Sequence, residues 1–220
     1  MNWSTYKFHA SGLRYLMTNS RKKDDLSETT KTYLDELWIQ ETYGRRKTDT
    51  LTNKYMNKGT ACETDSIELL ERVTGKKYFK NQTLYENDYI CGTPDITKPD
   101  LIDVKTSWDL WTFAGTNLDD ATKDYQWQMF SYEWLLKRSN SILVYALVDT
   151  PDEMVTDELY RLSFKIPEEQ LEQYKNNYKF GDIPEKDRIK AYDFVFDEAN
   201  VPIVIERVGQ CRNYLLNKTL

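Results

Sequence analysis

A mixed α/β fold in a single domain follows from three features: the order of the hydrophobic segments, their change of period, and the composition. The 220 residues are 40% hydrophobic, 14% aromatic and 30% charged. That is enough apolar material for a substantial core. From residue 53 to 150 the segments run helix, strand, strand, strand, helix, strand, unlike the strict alternation of a doubly wound sheet. Residues 1–52 read as a basic helical segment and 151–220 as added strands and helices. No repeat, low-complexity tract or linker interrupts the chain.

The elements are justified in order. Residues 11–17 (Ser-Gly-Leu-Arg-Tyr-Leu-Met) predict a short helix with Ser11 as its N-cap. A second helix covers 30–43, with Leu34, Leu37, Trp38 and Glu41 at helical spacing and Gly44 as terminator. One helix over 53–73 carries Ile67, Leu70 and Val73 on one face and stops at Gly75. Residues 78–85 and 89–92 predict two strands about a Glu86-Asn87-Asp88 turn, and 101–106 a third. An aromatic-rich helix follows at 121–137 and a buried strand at 141–148. Beyond these come a strand at 159–166, an amphipathic helix at 168–180 opened by Pro167, a short strand at 192–196, and a closing helix at 202–217 with Asn200 near its cap.

Charge and rare residues exclude several classes of function. The net charge of -6 argues against binding polyanions by bulk charge alone. The charge is uneven, however: residues 1–60 carry a net +4, 61–150 a net -6 and 151–220 a net -4. Arg21-Lys22-Lys23, Arg45-Arg46-Lys47, Lys54 and Lys58 supply the basic excess, either as a solvated surface or as a phosphate-facing edge. The three cysteines are scattered and form no C-x-x-C, which disfavours a disulfide framework, a zinc ribbon or a four-cysteine cluster. His9 is the only histidine, so a two-histidine metal motif is impossible. No apolar run reaches the roughly 20 residues of a membrane span. The N-terminus lacks a signal-peptide pattern, and a cytoplasmic location is expected.

The chemistry concentrates in Gly92-Thr93-Pro94-Asp95 and Leu101-Ile102-Asp103-Val104-Lys105. Strand alternation puts Asp103 and Lys105 on one face, with Val104 on the other. Asp95 ends the preceding strand. Two carboxylates and a lysine suit metal-assisted phosphodiester hydrolysis: carboxylate oxygens hold Mg²⁺, and the ammonium orients water and offsets negative charge. Asp103-Val104-Lys105 is the only acid-x-Lys in the chain, although a surface ion pair on a half-exposed strand has the same spacing. Glu63 shares a helix face with Ile67 and Leu70. A carboxylate there either borders the core, serves the helix start, or needs a partner such as a metal. Gln128 and Tyr132 stack at i, i+4 and form with Tyr125 a polar strip, or the polar edge of an ordinary core helix.

In this order, Glu63, Pro94-Asp95, Asp103-Val104-Lys105 and Gln128-x-x-x-Tyr132 resemble the PD-(D/E)XK nuclease superfamily. More narrowly they resemble its lambda exonuclease/YqaJ-like viral recombinase branch. The likeness covers roughly residues 55–150 and includes a Gly-x-x-x-Glu helix (Gly59 to Glu63). It implies a restriction-endonuclease-like core with added terminal helices. It also implies Asp95, Asp103, the Val104 carbonyl and Glu63 around Mg²⁺ (with Mn²⁺ as a possible substitute), and Lys105 as the catalytic lysine. Gln128 and Tyr132 would position the DNA strand or that lysine. Two departures stand out. Thr106-Ser107 replaces the Cys-Pro that often follows acid-x-Lys in the branch, and Glu63 stands where RecB-type relatives place a histidine.

The implied activity is exonucleolytic digestion of linear double-stranded DNA, 5′ to 3′, in phage recombination or DNA degradation, within the host cytoplasm. A restriction-like or structure-specific endonuclease and a non-catalytic DNA-binding module remain as alternatives. A single-strand annealing protein and a homo-oligomer, a trimer by analogy, are the implied partners. Ser11, Arg14 and Arg45 are candidates for a terminal-phosphate pocket, with Tyr125 a further DNA contact; Arg14 is equally suited to a solvated helix face. Trp108, Trp111 and Phe113 either stack on bases or pack in the core.

Overall fold

In a computed structural model, described for residues 1–22, 25–47 and 54–220, the chain forms two small sheets wrapped by helices. Lys23 and the expected helix start at residue 53 lie outside the described residues. The strands are β1 (Phe8–His9), β2 (Tyr85–Glu86), β3 (Ile90–Gly92), β4 (Ile102–Thr106), β5 (Asn140–Ala146) and β6 (Ile189–Val195). The helices are α1 (Leu13–Leu16), α2 (Glu28–Tyr43), α3 (Lys54–Ala61), α4 (Glu63–Thr74), α5 (Leu110–Gly115), α6 (Leu118–Leu136), α7 (Asp152–Ser163), α8 (Glu168–Lys175) and α9 (Asn200–Leu216). This is the mixed α/β class that the sequence predicts.

The sheet that matters for function has the order β4-β5-β6. β4 and β5 run parallel, joined through α5 and α6, and β6 returns antiparallel. Alternation sorts its two faces. Ile102, Val104, Val144 and Ala146 pack against Ile67, Leu69 and Leu70 of α4. Leu143, with Tyr145, Tyr192 and Phe194, packs against Ala121, Met129 and Tyr132 of α6. By the same alternation Asp103 and Lys105 face α6. A third cluster unites the chain ends: Phe8, Leu13, Leu16, Leu34 and Trp38 meet Val204, Val208, Cys211 and Leu215 of α9, and Phe130 joins from the far side of α6.

Several elements differ from the sequence reading. The three consecutive strands do not make one sheet. β3 lies between β1 and β2, and only an isolated Ile96–Ile102 bridge links this region to β4. Most of 78–84 is not strand, because the Asn81 side chain donates to the Thr83 and Pro94 carbonyls and folds the segment back. The helix over 53–73 is two helices, broken at buried Cys62 (φ -107, ψ 13). Ser11 is no N-cap; it sits in a 3-10 turn, Ala10–Gly12, ahead of α1. The true cap of α2 is Ser27, whose hydroxyl accepts from Thr30 N at 3.0 Å. Gly44 ends that helix in the left-handed region, φ 66, as expected.

The strand expected at 159–166 is instead the end of α7 and the turn that follows it. Met154, Val155 and Leu159 pack at helical spacing against Trp108 and Tyr178, and two acids open the first turn. The helix expected over 168–180 is α8 followed by a 3-10 turn, Asn176–Tyr178. β6 is longer than predicted, because its full length pairs with β5.

α6 is bonded to β5 through Glu133, which is 1% exposed and accepts from Ser141 Oγ at 2.7 Å. Burial pushes this carboxyl from its ordinary 4.5 up to about 7. Its folded pKa thus exceeds the unfolded one, so ionisation is penalised only in the folded state. Stability from this group is intact below about pH 4.5 and is lost as pH rises through about 7. Glu133→Gln keeps an acceptor for Ser141 and carries no charge. Thermal unfolding should show the variant more stable by about 1–3 kcal/mol at pH 8, with the gap closing near pH 4.5. A variant equally unstable at both pH values would refute the buried-charge account.

Candidate active site

The ends of β3 and β4 bring the predicted acids together. Past β3, Ile96 and Ile102 exchange two backbone hydrogen bonds of 3.0 Å. This lays Asp95 beside β4, where its Oδ2 accepts from Val104 N at 2.7 Å. Asp103 is 2% exposed. Its Oδ1 accepts from Gln128 Nε2 at 3.1 Å, and the same amide donates to the Tyr132 hydroxyl at 2.9 Å. Gln128 and Tyr132, one turn apart on α6, therefore hold Asp103 rather than the lysine. Gly92 permits this arrangement: a Cβ there would lie 2.8 Å from the Tyr132 ring and 2.9 Å from Ala10.

Lys105 completes the cluster. Its Nζ lies 2.6 Å from Asp103 Oδ2 and 4.8 Å from the centroid of the Tyr125 ring. Burial works against the ammonium, but Asp103 outweighs it and the Lys105 pKa is raised, so the lysine stays charged. Asp95 moves the other way for a carboxylate: burial first, then the Asp103 charge, lift it to about 7. The sequence places Asp103 and Lys105 together either as a surface ion pair or as a site. The pair proves to be a buried Asp103 with a part-buried Lys105, flanked by a second acid.

These groups line a cavity of about 780 Å³, together with Arg14, Tyr15, Gly59, Glu63, Thr112, Thr116 and Tyr145. Glu63, the first residue of α4, is half-buried and already has a protein partner: its Oε2 lies 2.8 Å from Lys80 Nζ. Arg14 donates to the Tyr15 hydroxyl at 2.7 Å and pairs with Asp124 at 3.5 Å. Ser11 instead lines a neighbouring cavity of about 840 Å³, with Tyr6, Tyr33, Glu36 and Arg46. Tyr15 and Met56 border both cavities. Arg45 is exposed beyond α2 and lines neither. The three phosphate-pocket candidates are therefore not brought to one place.

The basic edge expected from the N-terminal residues is thinner than the composition suggests. Lys58 is fully buried, with its ammonium donating to the carbonyls of Ser107, Trp108 and Val148 at 2.7–3.0 Å. Lys54 pairs with Glu158 at 2.7 Å, and Lys47 with Glu36. Of the aromatics after β4, Trp108 and Phe113 are core residues and only Trp111 is exposed, at 63%. Glu71 pairs with Lys77 and accepts from Tyr78 N.

The donor chemistry suits a hard divalent cation. Asp103 Oδ2 is buried, and its contact with Lys105 lacks the angle of a directed hydrogen bond. Two carboxylates side by side, Asp103 buried and Asp95 part-buried, supply the oxygen ligands such a cation takes. Among the described residues no three His, Cys, Asp or Glu side chains converge as a metal-binding group. Lys80 and the Lys58 carbonyl clamp went unread in the sequence, because both depend on contacts between separate elements.

No family model matches the sequence, and no curated protein matches it significantly. The fold is similar to a phage-related exonuclease from Haemophilus somnus 129PT, with TM-score 0.78 and 26% identity, over 96% of this chain and 94% of that one. It also resembles LHK-Exo, an alkaline exonuclease from Laribacter hongkongensis, with TM-score 0.61 and 17% identity, over 97% and 91% of the two chains. The complex of LHK-Exo with dAMP gives TM-score 0.60 and 16% identity, over 96% and 88%. The two LHK-Exo structures share the fold alone. The expected likeness to lambda-like exonucleases thus holds over nearly the whole chain. No helix among the described residues is long and apolar enough to cross a membrane.

Proposed function

We propose that this chain is a Mg²⁺-dependent DNA exonuclease that degrades linear double-stranded DNA from a 5′ end. The observation that carries this reading is the Asp95–Asp103–Lys105 cluster lining the cavity of about 780 Å³. The similarity of the surrounding fold to a phage-related exonuclease supports it.

On this reading Asp95 and Asp103 hold the metal, with the Val104 carbonyl and Glu63 as further ligands; Mn²⁺ is a chemically reasonable substitute. The ion supplies Lewis-acid stabilisation of phosphate charge and lowers the pKa of water. Lys105 orients the attacking water and offsets charge on the phosphate through its fixed ammonium. Gln128 fixes the Asp103 carboxylate, and Tyr132 fixes Gln128. The Tyr125 ring face holds the Lys105 ammonium. Arg14, which lines the same cavity, is placed to receive a phosphate of the strand.

Linear and covalently closed circular duplexes of one sequence test the mode of attack. The reading expects Mg²⁺-dependent loss of the linear form while the circle stays intact. Cutting of the circle at a comparable rate would make the protein an endonuclease.

A further inference from the structure

Lys80, which pairs with the cavity-lining Glu63, is a cation that the proposed chemistry leaves without a task. Its position is set by backbone. Lys80 bridges Ile96 in antiparallel fashion, and its neighbour Asn81 donates to the Asp95 carbonyl at 2.6 Å. The Asn81 side chain also donates to the Pro94 carbonyl at 2.9 Å. The segment carrying Lys80 is therefore fastened to the two residues that present Asp95. From there the Lys80 ammonium reaches Glu63 Oε2 at 2.8 Å, across 17 residues of sequence. The side chains are 44% and 21% exposed. Glu63 in turn lines the same cavity as Asp95 and Asp103.

While the Lys80 ammonium holds Glu63 Oε2, that oxygen is not open to a divalent ion. We infer that Lys80 is a positioning residue that competes with the divalent cation for Glu63, so that loading the site requires the Lys80–Glu63 pair to open. This rests on the proposed metal site. It adds that the third acid is held in reserve by a lysine anchored to the Pro94-Asp95 strand end. Such a device raises the cation concentration at which the site fills.

The test is calorimetric titration of Mn²⁺ into the full-length, chelator-stripped protein, so the readout is binding and not turnover. Lys80→Gln keeps most of the stem and removes the charge. It should bind Mn²⁺ about fivefold more tightly, the scale of a partly exposed ion pair. In a Glu63→Gln background the same change should add nothing, because the contested ligand is gone. Lys77→Gln, which breaks a similar pair with Glu71, should leave the affinity unchanged. Unchanged or weaker binding in Lys80→Gln would overturn the inference. So would a gain that persists in full without Glu63, since that would be the general field of a lost charge. Mn²⁺ binding that survives Asp95→Asn undiminished would overturn the metal site itself, a different failure from that of Lys80.

Discussion

Replacing Lys105 with methionine should lower the rate of DNA hydrolysis by about 10²–10³-fold, the usual cost of one preorganised electrostatic group, while duplex binding changes little. The ammonium is wedged between Asp103 and the Tyr125 ring. It is held in its charged form, and no neighbouring cation stands ready to replace it among the groups lining the cavity except Arg14. Single-turnover cleavage of an end-labelled linear duplex separates the two effects, since binding is measured independently by titration. A Lys105→Met protein that cuts at the parental rate would remove this lysine from the chemistry. One that merely loses DNA affinity would make it a phosphate contact instead.

The second large effect concerns stability. Lys58→Met should cost about 3–5 kcal/mol, the range for removing one partner of a buried charged network, and lower the unfolding temperature by roughly 10 °C. All three ammonium protons have carbonyl acceptors: Ser107 and Trp108 just past β4, and Val148 just past β5. Methionine fills the space but takes the donor away from three buried carbonyls, of which Trp108 keeps the Thr150 hydroxyl at 3.2 Å. Burial pulls the Lys58 pKa down to about 8, yet an ammonium is the species whose donor count matches the three acceptors. Because Ser107 and Trp108 also line the cavity, the variant should handle substrate less well even where it remains folded. Scanning calorimetry measures the stability change. A shift of less than about 2 °C would mean that the clamp contributes little.

What could be read from the sequence was chemistry set by local spacing. Asp103 and Lys105 share a face because strands alternate, and Gln128 and Tyr132 share one because helices turn every 3.6 residues. Asp95 follows from a strand that ends at proline. What could not be read was set by tertiary contact. Lys58 looks like surface charge in a basic run, and only the carbonyls of two other segments make it a core residue. Glu63 sits on the face of α4 that spacing indicates, but its partner Lys80 comes from a segment that the apolar pattern presents as an ordinary strand. Residues 159–166 mislead for a local reason. Their short apolar run fits a strand, and the helix is apparent only when Met154 and Val155 are included. The two-residue β1 has too little sequence to announce itself and exists because it pairs with β3.

The central claim is that a metal held by Asp95 and Asp103 drives removal of nucleotides from a DNA end. It is tested most directly by supplying a 5′-phosphorylated linear duplex to the purified protein with Mg²⁺ or with EDTA. The account predicts steady release of acid-soluble nucleotides with Mg²⁺, none in EDTA, and none with Mg²⁺ when Asp95→Asn is used. Release that continues in EDTA, or that persists undiminished in Asp95→Asn, would contradict it.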